Sequence, residues 1–152
     1  MIYLVAVSQV IQYFGAETAE NNVVELGMEN PQILLFLIPG AYIFIGPGEE
    51  LLFRGVVQNR IREAFPPVSG VVVASAIFAA IHLPALSYGA PLSAKLTSLV
   101  VLLGPSLILG GIYEYTDNLF VPILVHGTYN SLLFVALYVQ ATSGAGGAAV
   151  LF

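Results

Sequence analysis

The chain has 152 residues, of which 58% are hydrophobic and 9% charged, and its mean hydropathy is +0.90. A soluble domain carries about 25% charged residues, so the composition excludes an ordinary soluble protein and indicates an all-α integral membrane protein in contact with lipid. At roughly 20 apolar residues per crossing, the length holds one polytopic helix bundle of about five membrane segments and no second domain. The absence of Cys rules out disulfides and thiolate metal sites. A net charge of −5 argues against nucleic acid as a partner, and the four basic residues form no polybasic cluster for anionic lipid.

Residues 1–15 are apolar but contain Ser8, Gln9 and Gln12, and they lack the basic start and the cleavage site of a signal peptide, so a short helix is expected. Residues 16–30 carry Glu17, Glu20, Glu25 and Glu29 with no basic partner, which suits an exposed acidic connector or an interfacial helix. The apolar stretch from Pro31 to Arg62 is too long for one straight span, and Gly46-Pro47-Gly48 at its centre predicts a break or kink. Pro47 would open a new helical turn presenting Glu49 and Glu50. Pro66-Pro67 marks a turn, after which residues 69–84 form a short helix rich in Ala and Gly, suited to close helix packing in lipid. A loop through Tyr88, Gly89 and Pro91 leads to a helix over about 92–115, and the 116–118 turn opens a last helix ending near Gln140. Residues 141–152 read as a flexible tail, and there is no internal repeat.

Charges inside such a bundle are informative, because each costs roughly 2.5 to 3.5 kcal/mol at mid-bilayer. Arg60 and Arg62 are the basic pair at a helix end, which places the 60–68 turn in the cytoplasm of a multi-pass protein, in keeping with a prokaryotic plasma membrane. Counting about 1.5 Å per residue from the inner helix ends, Glu49 and His82 lie roughly 20 Å deep, Asn130 roughly 18 Å and His126 roughly 12 Å. They therefore meet near the middle of the membrane. Glu50 and Arg54 are four residues apart and pair along one helix face, while Glu49 points about 100° away and stays available. Phe78 shares a face with His82, and His126 with Asn130.

These residues form three ordered elements: Glu49-Glu50-x-x-x-Arg54, then Phe78-x-x-x-His82, then His126-x-x-x-Asn130, the last preceded by Asn118-Leu119-Phe120-Val121-Pro122. In this the chain resembles the CPBP or Abi intramembrane proteases, the family of the CAAX prenyl endopeptidase Rce1, over a protease-like core of about residues 45–140. Such proteins usually have more helices upstream, so the chain reads as a minimal or N-terminally shortened member. The resemblance implies catalysis by Glu49, Glu50, Arg54, His82, His126 and Asn130. Glu49 would act as general base on a water held with His82, and Glu50 would be anchored by Arg54. His126 and Asn130 would donate hydrogen bonds to the developing oxyanion, worth about 3 kcal/mol per donor. The substrate would be a prenylated C-terminal peptide or another membrane peptide.

Metal stays open at this point: Glu49, His82 and His126 could supply three zinc ligands, but the His-Glu-x-x-His helix of soluble zinc proteases is absent, and a metal-free glutamate mechanism is favoured. Ser75 and Ser131 are candidate nucleophiles for a serine protease without the Gly-x-Ser-Gly setting of rhomboids, and Asp117 alone cannot form an aspartyl dyad. A transporter or proton relay would also bury Glu, Arg and His, although its groups should string along the membrane normal. A non-catalytic immunity or scaffold relative is the remaining alternative.

Overall fold

The computed structural model describes residues 2–143, and the ordered elements are helical. A short helix α1 (Ile2–Phe14) and an eight-residue α2 (Asn22–Glu29) precede four long helices: α3 (Pro31–Arg62), α4 (Pro67–Ile81), α5 (Leu92–Thr116) and α6 (Phe120–Ser143). The last four, with α4 extended by a 3₁₀ turn at Leu83–Ala85, are long and apolar enough to cross a membrane. The chain is thus a multi-pass integral membrane protein, with four such spans among the described residues where about five are expected. At 13 residues α1 reaches only about 20 Å, short of the roughly 30 Å hydrocarbon core. The last helix runs three residues beyond Gln140, and the remainder of the expected tail lies outside the described residues.

Where a break or kink is expected at Gly46-Pro47-Gly48, the helix is bent but continuous, with altered winding. Residues Ala41–Ile45 and Leu51–Gln58 wind as π-helix, and Gly46–Glu50 between them is α-helical. Proline lacks an N–H, and its ring collides with the carbonyl four residues back. The wide turn before Pro47 gives that ring room, and Gly46 N–H closes it on the Ala41 carbonyl five residues away. Gly46 serves a second purpose, since a Cβ there would lie 2.8 Å from the Ala41 carbonyl oxygen and 3.1 Å from that of Ile123 on α6. The glycine lets the two backbones touch at the level of the acidic pair.

Below the acidic pair, α3 faces α5 through residues at four-residue spacing on both helices. Arg54 bonds Ser106, Gln58 bonds the Gly110 carbonyl at 3.1 Å, and Gln58 and Arg62 both reach Glu114. In an α-helix each residue advances about 100°, so a four-residue repeat drifts around the axis. The i→i+5 winding of Leu51–Gln58 advances less per residue and offsets that drift, which keeps Arg54, Gln58 and Arg62 turned towards α5. Near the N-terminal end of α5, the connector before α2 is pinned to the bundle: Ala19 N–H donates to Ser98 Oγ at 2.9 Å, and Asn21 pairs with Leu86 in an isolated antiparallel bridge. Its glutamates remain exposed, as the sequence suggests, but Ala19 is buried. Leu34 and Ala41 of α3 pack on Phe134 and Leu137 of α6 to form the main apolar core.

The two glycines flanking Pro47 separate a close-contact role from a flexibility role. Gly46→Ala should destabilise the folded protein by about 1 to 3 kcal/mol, since rigid backbone opposes the added carbon. Gly48→Ala meets nothing within 4 Å and should be neutral or stabilising by up to about 1 kcal/mol. Unfolding midpoints of the two variants in the same detergent provide the check.

Candidate active site

Glu49 and Glu50 sit on the α-helical turn between the two π segments, and adjacent positions on a helix point in different directions. The side chain of Glu50 is fully buried, whereas that of Glu49 keeps 30% of its exposure and faces a cavity of about 410 Å³. Two neighbouring carboxylates are thereby given different surroundings by one step of helix.

Glu50 Oε1 is a junction. It accepts from Arg54 Nη1 at 3.2 Å, the i,i+4 pair expected from spacing, and from His126 Nδ1 on α6 at 2.7 Å. Its other oxygen, Oε2, is buried without a hydrogen-bond partner among the described residues. The second arm of the guanidinium, Nη2, donates to the Ser106 carbonyl at 2.8 Å and to Ser106 Oγ at 3.0 Å. Its face lies over the Phe78 ring, with 5.3 Å from Cζ to the ring centroid. Burying two opposite charges costs several kcal/mol per ion in lost hydration, and these converging bonds and the ring face offset it.

The hydrogen bonds also assign the histidine tautomers. His82 follows the last residue of α4, and its Nδ1 lies 2.7 Å from the Phe78 carbonyl oxygen. A carbonyl only accepts, so Nδ1 carries the proton and a neutral ring keeps Nε2 as an acceptor. His126 Nδ1 likewise donates to the Glu50 carboxylate, which leaves Nε2 facing Glu49 Oε2 at 3.7 Å. That gap is too long for a direct hydrogen bond and is of the size a shared proton or water closes on reaction. Phe78 packs at the centre of this group, with ring centroids 4.5 Å from His82, 4.9 Å from Phe53 and 6.2 Å from His126.

Glu49, His82, His126 and Asn130 all line the one cavity, together with Phe78, as their common depth suggests. Glu50 and Arg54 stand behind it and do not line it. The rest of the wall is largely apolar, with Leu37, Leu133 and Leu137 among its residues. Asn130 is half-buried, and among the described residues no hydrogen bond occupies its side chain. Ser75 and Ser131 are both buried; neither lines the cavity, and Ser131 Oγ reaches back to the Ile38 carbonyl at 3.4 Å. For zinc, the donors Glu49, His82 and His126 do not fit, because among the described residues no three His, Asp or Glu side chains are grouped to hold a metal ion. Sequence reasoning missed Ser106 and Gln58, both fully buried. The signal for Gln58 was the continuing four-residue spacing after Glu50 and Arg54; Ser106 is one of several serines on α5 and carries no local mark.

Comparison with known proteins agrees with this arrangement. The family described as type II CAAX prenyl endopeptidase Rce1-like matches residues 31–132, two thirds of the chain, which takes in the first three spans and the first half of the fourth. A Bacillus subtilis (strain 168) relative, "Uncharacterized protein YpbD", is 39% identical over 84 residues, which is 55% of this chain and 36% of that protein. The chain thus spans about a third of the length of the curated relative it matches. No solved structure matches significantly. With the residues of all three motifs gathered in or behind one cavity and a family match over two thirds of the chain, the chain belongs to the Rce1-like family of CAAX-type intramembrane proteases, a peptidase family.

Proposed function

We propose that this protein is an intramembrane endopeptidase that hydrolyses a peptide bond with a water activated by Glu49 and His82, without a metal. The observation that carries the reading is the cavity itself: a partly exposed carboxylate, two imidazoles with assigned tautomers and an unengaged carboxamide share one space inside an apolar bundle.

In this reading Glu49 takes a proton from the water as its oxygen attacks the scissile carbonyl carbon, while His82 Nε2 accepts the second water hydrogen and fixes its direction. His82 can do so because its other nitrogen is committed to the Phe78 carbonyl. The carbonyl oxygen becomes an oxyanion that accepts from the Asn130 amide. The C–N bond then breaks, and the proton held by Glu49 passes to the departing amine. His126 differs from the simple donor role that the family resemblance implies. With Nδ1–H given to Glu50, its Nε2 donates to the oxyanion only when it also carries a proton, and Glu49 stands 3.7 Å away to share one. Glu50 and Arg54 keep that imidazole in place.

The apolar wall suits a substrate with a hydrophobic segment, and a prenylated C-terminal peptide of CAAX type is the class favoured, with an unprenylated membrane peptide as the second. The Arg60–Arg62 end of the bundle faces the cytoplasm of a prokaryotic cell in this account. A proton relay is less well supported, because the groups that line the cavity form a cluster around one space and not a file leading through the bundle.

The test uses protein in lipid, a fluorogenic prenylated CAAX peptide and its unprenylated twin. Wild type should cleave the prenylated peptide, and His82→Ala should not; a folded wild type that leaves both peptides intact contradicts the protease reading. Activity should persist in the presence of a zinc chelator, and loss that added zinc restores would overturn the metal-free mechanism. Asn130→Ala should lower kcat by roughly 10²- to 10³-fold with a smaller change in KM, the pattern of a donor used in the transition state.

A further inference from the structure

The three signature elements lie on α3, α4 and α6, and α5 contributes none of them. Yet α5 supplies what Arg54 leans on. An arginine beside a buried carboxylate ordinarily forms a two-pronged pair, one nitrogen on each oxygen. Here only one prong reaches Glu50: Nη1 is on Oε1, Oε2 is buried and unpartnered, and Nη2 is turned away to the Ser106 carbonyl and hydroxyl at 2.8 and 3.0 Å. Ser106 is fully buried and lines the cavity wall. The carboxylate oxygen that Arg54 does hold is the one that accepts from His126.

We propose that Ser106 is a positioning residue for the proteolytic reaction: by engaging Nη2 it keeps Arg54 from closing a two-pronged pair on Glu50, and so leaves Glu50 Oε1 aligned on His126 Nδ1. The inference rests on the protease reading for its kinetic consequence but not for its geometry. Without the hydroxyl, Nη2 loses one of its two acceptors, and Oε2 of the carboxylate that Nη1 already holds is buried and unsatisfied. The guanidinium then swings towards that oxygen, and the carboxylate turns with it. His126 keeps its place on α6 but loses the fixed direction of its Nδ1–H, and with it the aim of Nε2 towards Glu49. The lower rungs between the same helices hold the axial register in which Ser106 meets Arg54, through Gln58 on the Gly110 carbonyl and Arg62 on Glu114 at 2.8 Å. Gly110 permits this approach, since a Cβ there would lie 3.0 Å from Val71 and 3.1 Å from Gln58 Oε1.

The experiment compares wild type, Ser106→Ala, Ser106→Cys and Ser106→Thr in lipid. Unfolding, kcat and KM on the prenylated peptide are measured, together with the downfield proton resonance of the His126 imidazole Nδ1–H, identified by its loss in His126→Gln. Removing one hydrogen bond to a charged group should lower kcat about tenfold with KM within about twofold, and should move or broaden the Nδ1–H resonance. Ser106→Thr, which keeps the hydroxyl, should return kcat to within about threefold of wild type. Ser106→Cys keeps the volume with a weak acceptor and should show the same loss in kcat alone, which decides the matter if the alanine variant does not fold. Wild-type kcat with an unmoved resonance in a folded Ala or Cys variant overturns the proposal, as does a loss confined to KM. Should no peptide be cleaved by wild type, the protease reading fails and the resonance decides the positioning role by itself: moved in the Ala or Cys variant, it stands; unmoved, it falls.

Discussion

One buried oxygen, Oε1 of Glu50, carries hydrogen bonds from Arg54 on its own helix and from His126 on α6, and Arg54 in turn reaches α5. Phe78 of α4 lies under the guanidinium. All four spans therefore meet at the Glu50–Arg54 pair. In lipid there is no hydrophobic force between helices, because hydrocarbon tails are as apolar as leucine, so close packing and polar contacts decide how the bundle assembles. A charged group inside such a bundle strongly disfavours any arrangement that leaves it unpaired. The junction fixes relative helix positions for the same reason that it fixes His126, and fold and site share one constraint.

That constraint also explains why the two glutamates have different surroundings. They differ by one residue and have the same chemistry, but the helix turns Glu50 into the protein and Glu49 into the cavity. Glu50, behind the cavity, holds Arg54 and His126, and Glu49, which faces the cavity, has His126 Nε2 at 3.7 Å. Tuning two like groups apart by surroundings is a general way to obtain one structural and one reactive carboxylate. The unusual winding of α3 serves this arrangement, since the π segments on either side of Gly46–Glu50 accommodate Pro47 and keep Arg54 and Gln58 turned to α5.

Much of this was legible in the sequence, because it depends on rules that act within one helix. The four-residue offset paired Glu50 with Arg54, put Phe78 against His82 and set His126 beside Asn130, and counting residues from the helix ends placed them at one depth. The boundaries of the last three helices followed from Pro66-Pro67, Pro91 and the 116–118 turn. The winding was not legible. Gly46-Pro47-Gly48 has the composition of a break, and only the approach of α6 to Gly46 and the wide turn before Pro47 make it a continuous helix. Ser106 escaped for a related reason, since a partner 52 positions away leaves no trace in local spacing. Of the roughly five spans expected, four are found among the described residues, and the apolar α1 has 13 residues. The contact of His126 Nδ1 with Glu50 was not legible either, since it joins residues 76 positions apart on different helices.

The most direct test of the account is a paired measurement of unfolding and turnover on Glu49→Gln and Glu50→Gln in lipid. If burial divides the two carboxylates, Glu49→Gln should unfold as wild type does while turnover falls by roughly 10²- to 10⁴-fold, the span expected for loss of a general base. Glu50→Gln should lose about 3 to 5 kcal/mol of stability, because Arg54 is left buried without its counter-charge. Turnover that survives in Glu49→Gln, or an unfolding midpoint unchanged in Glu50→Gln, would contradict it.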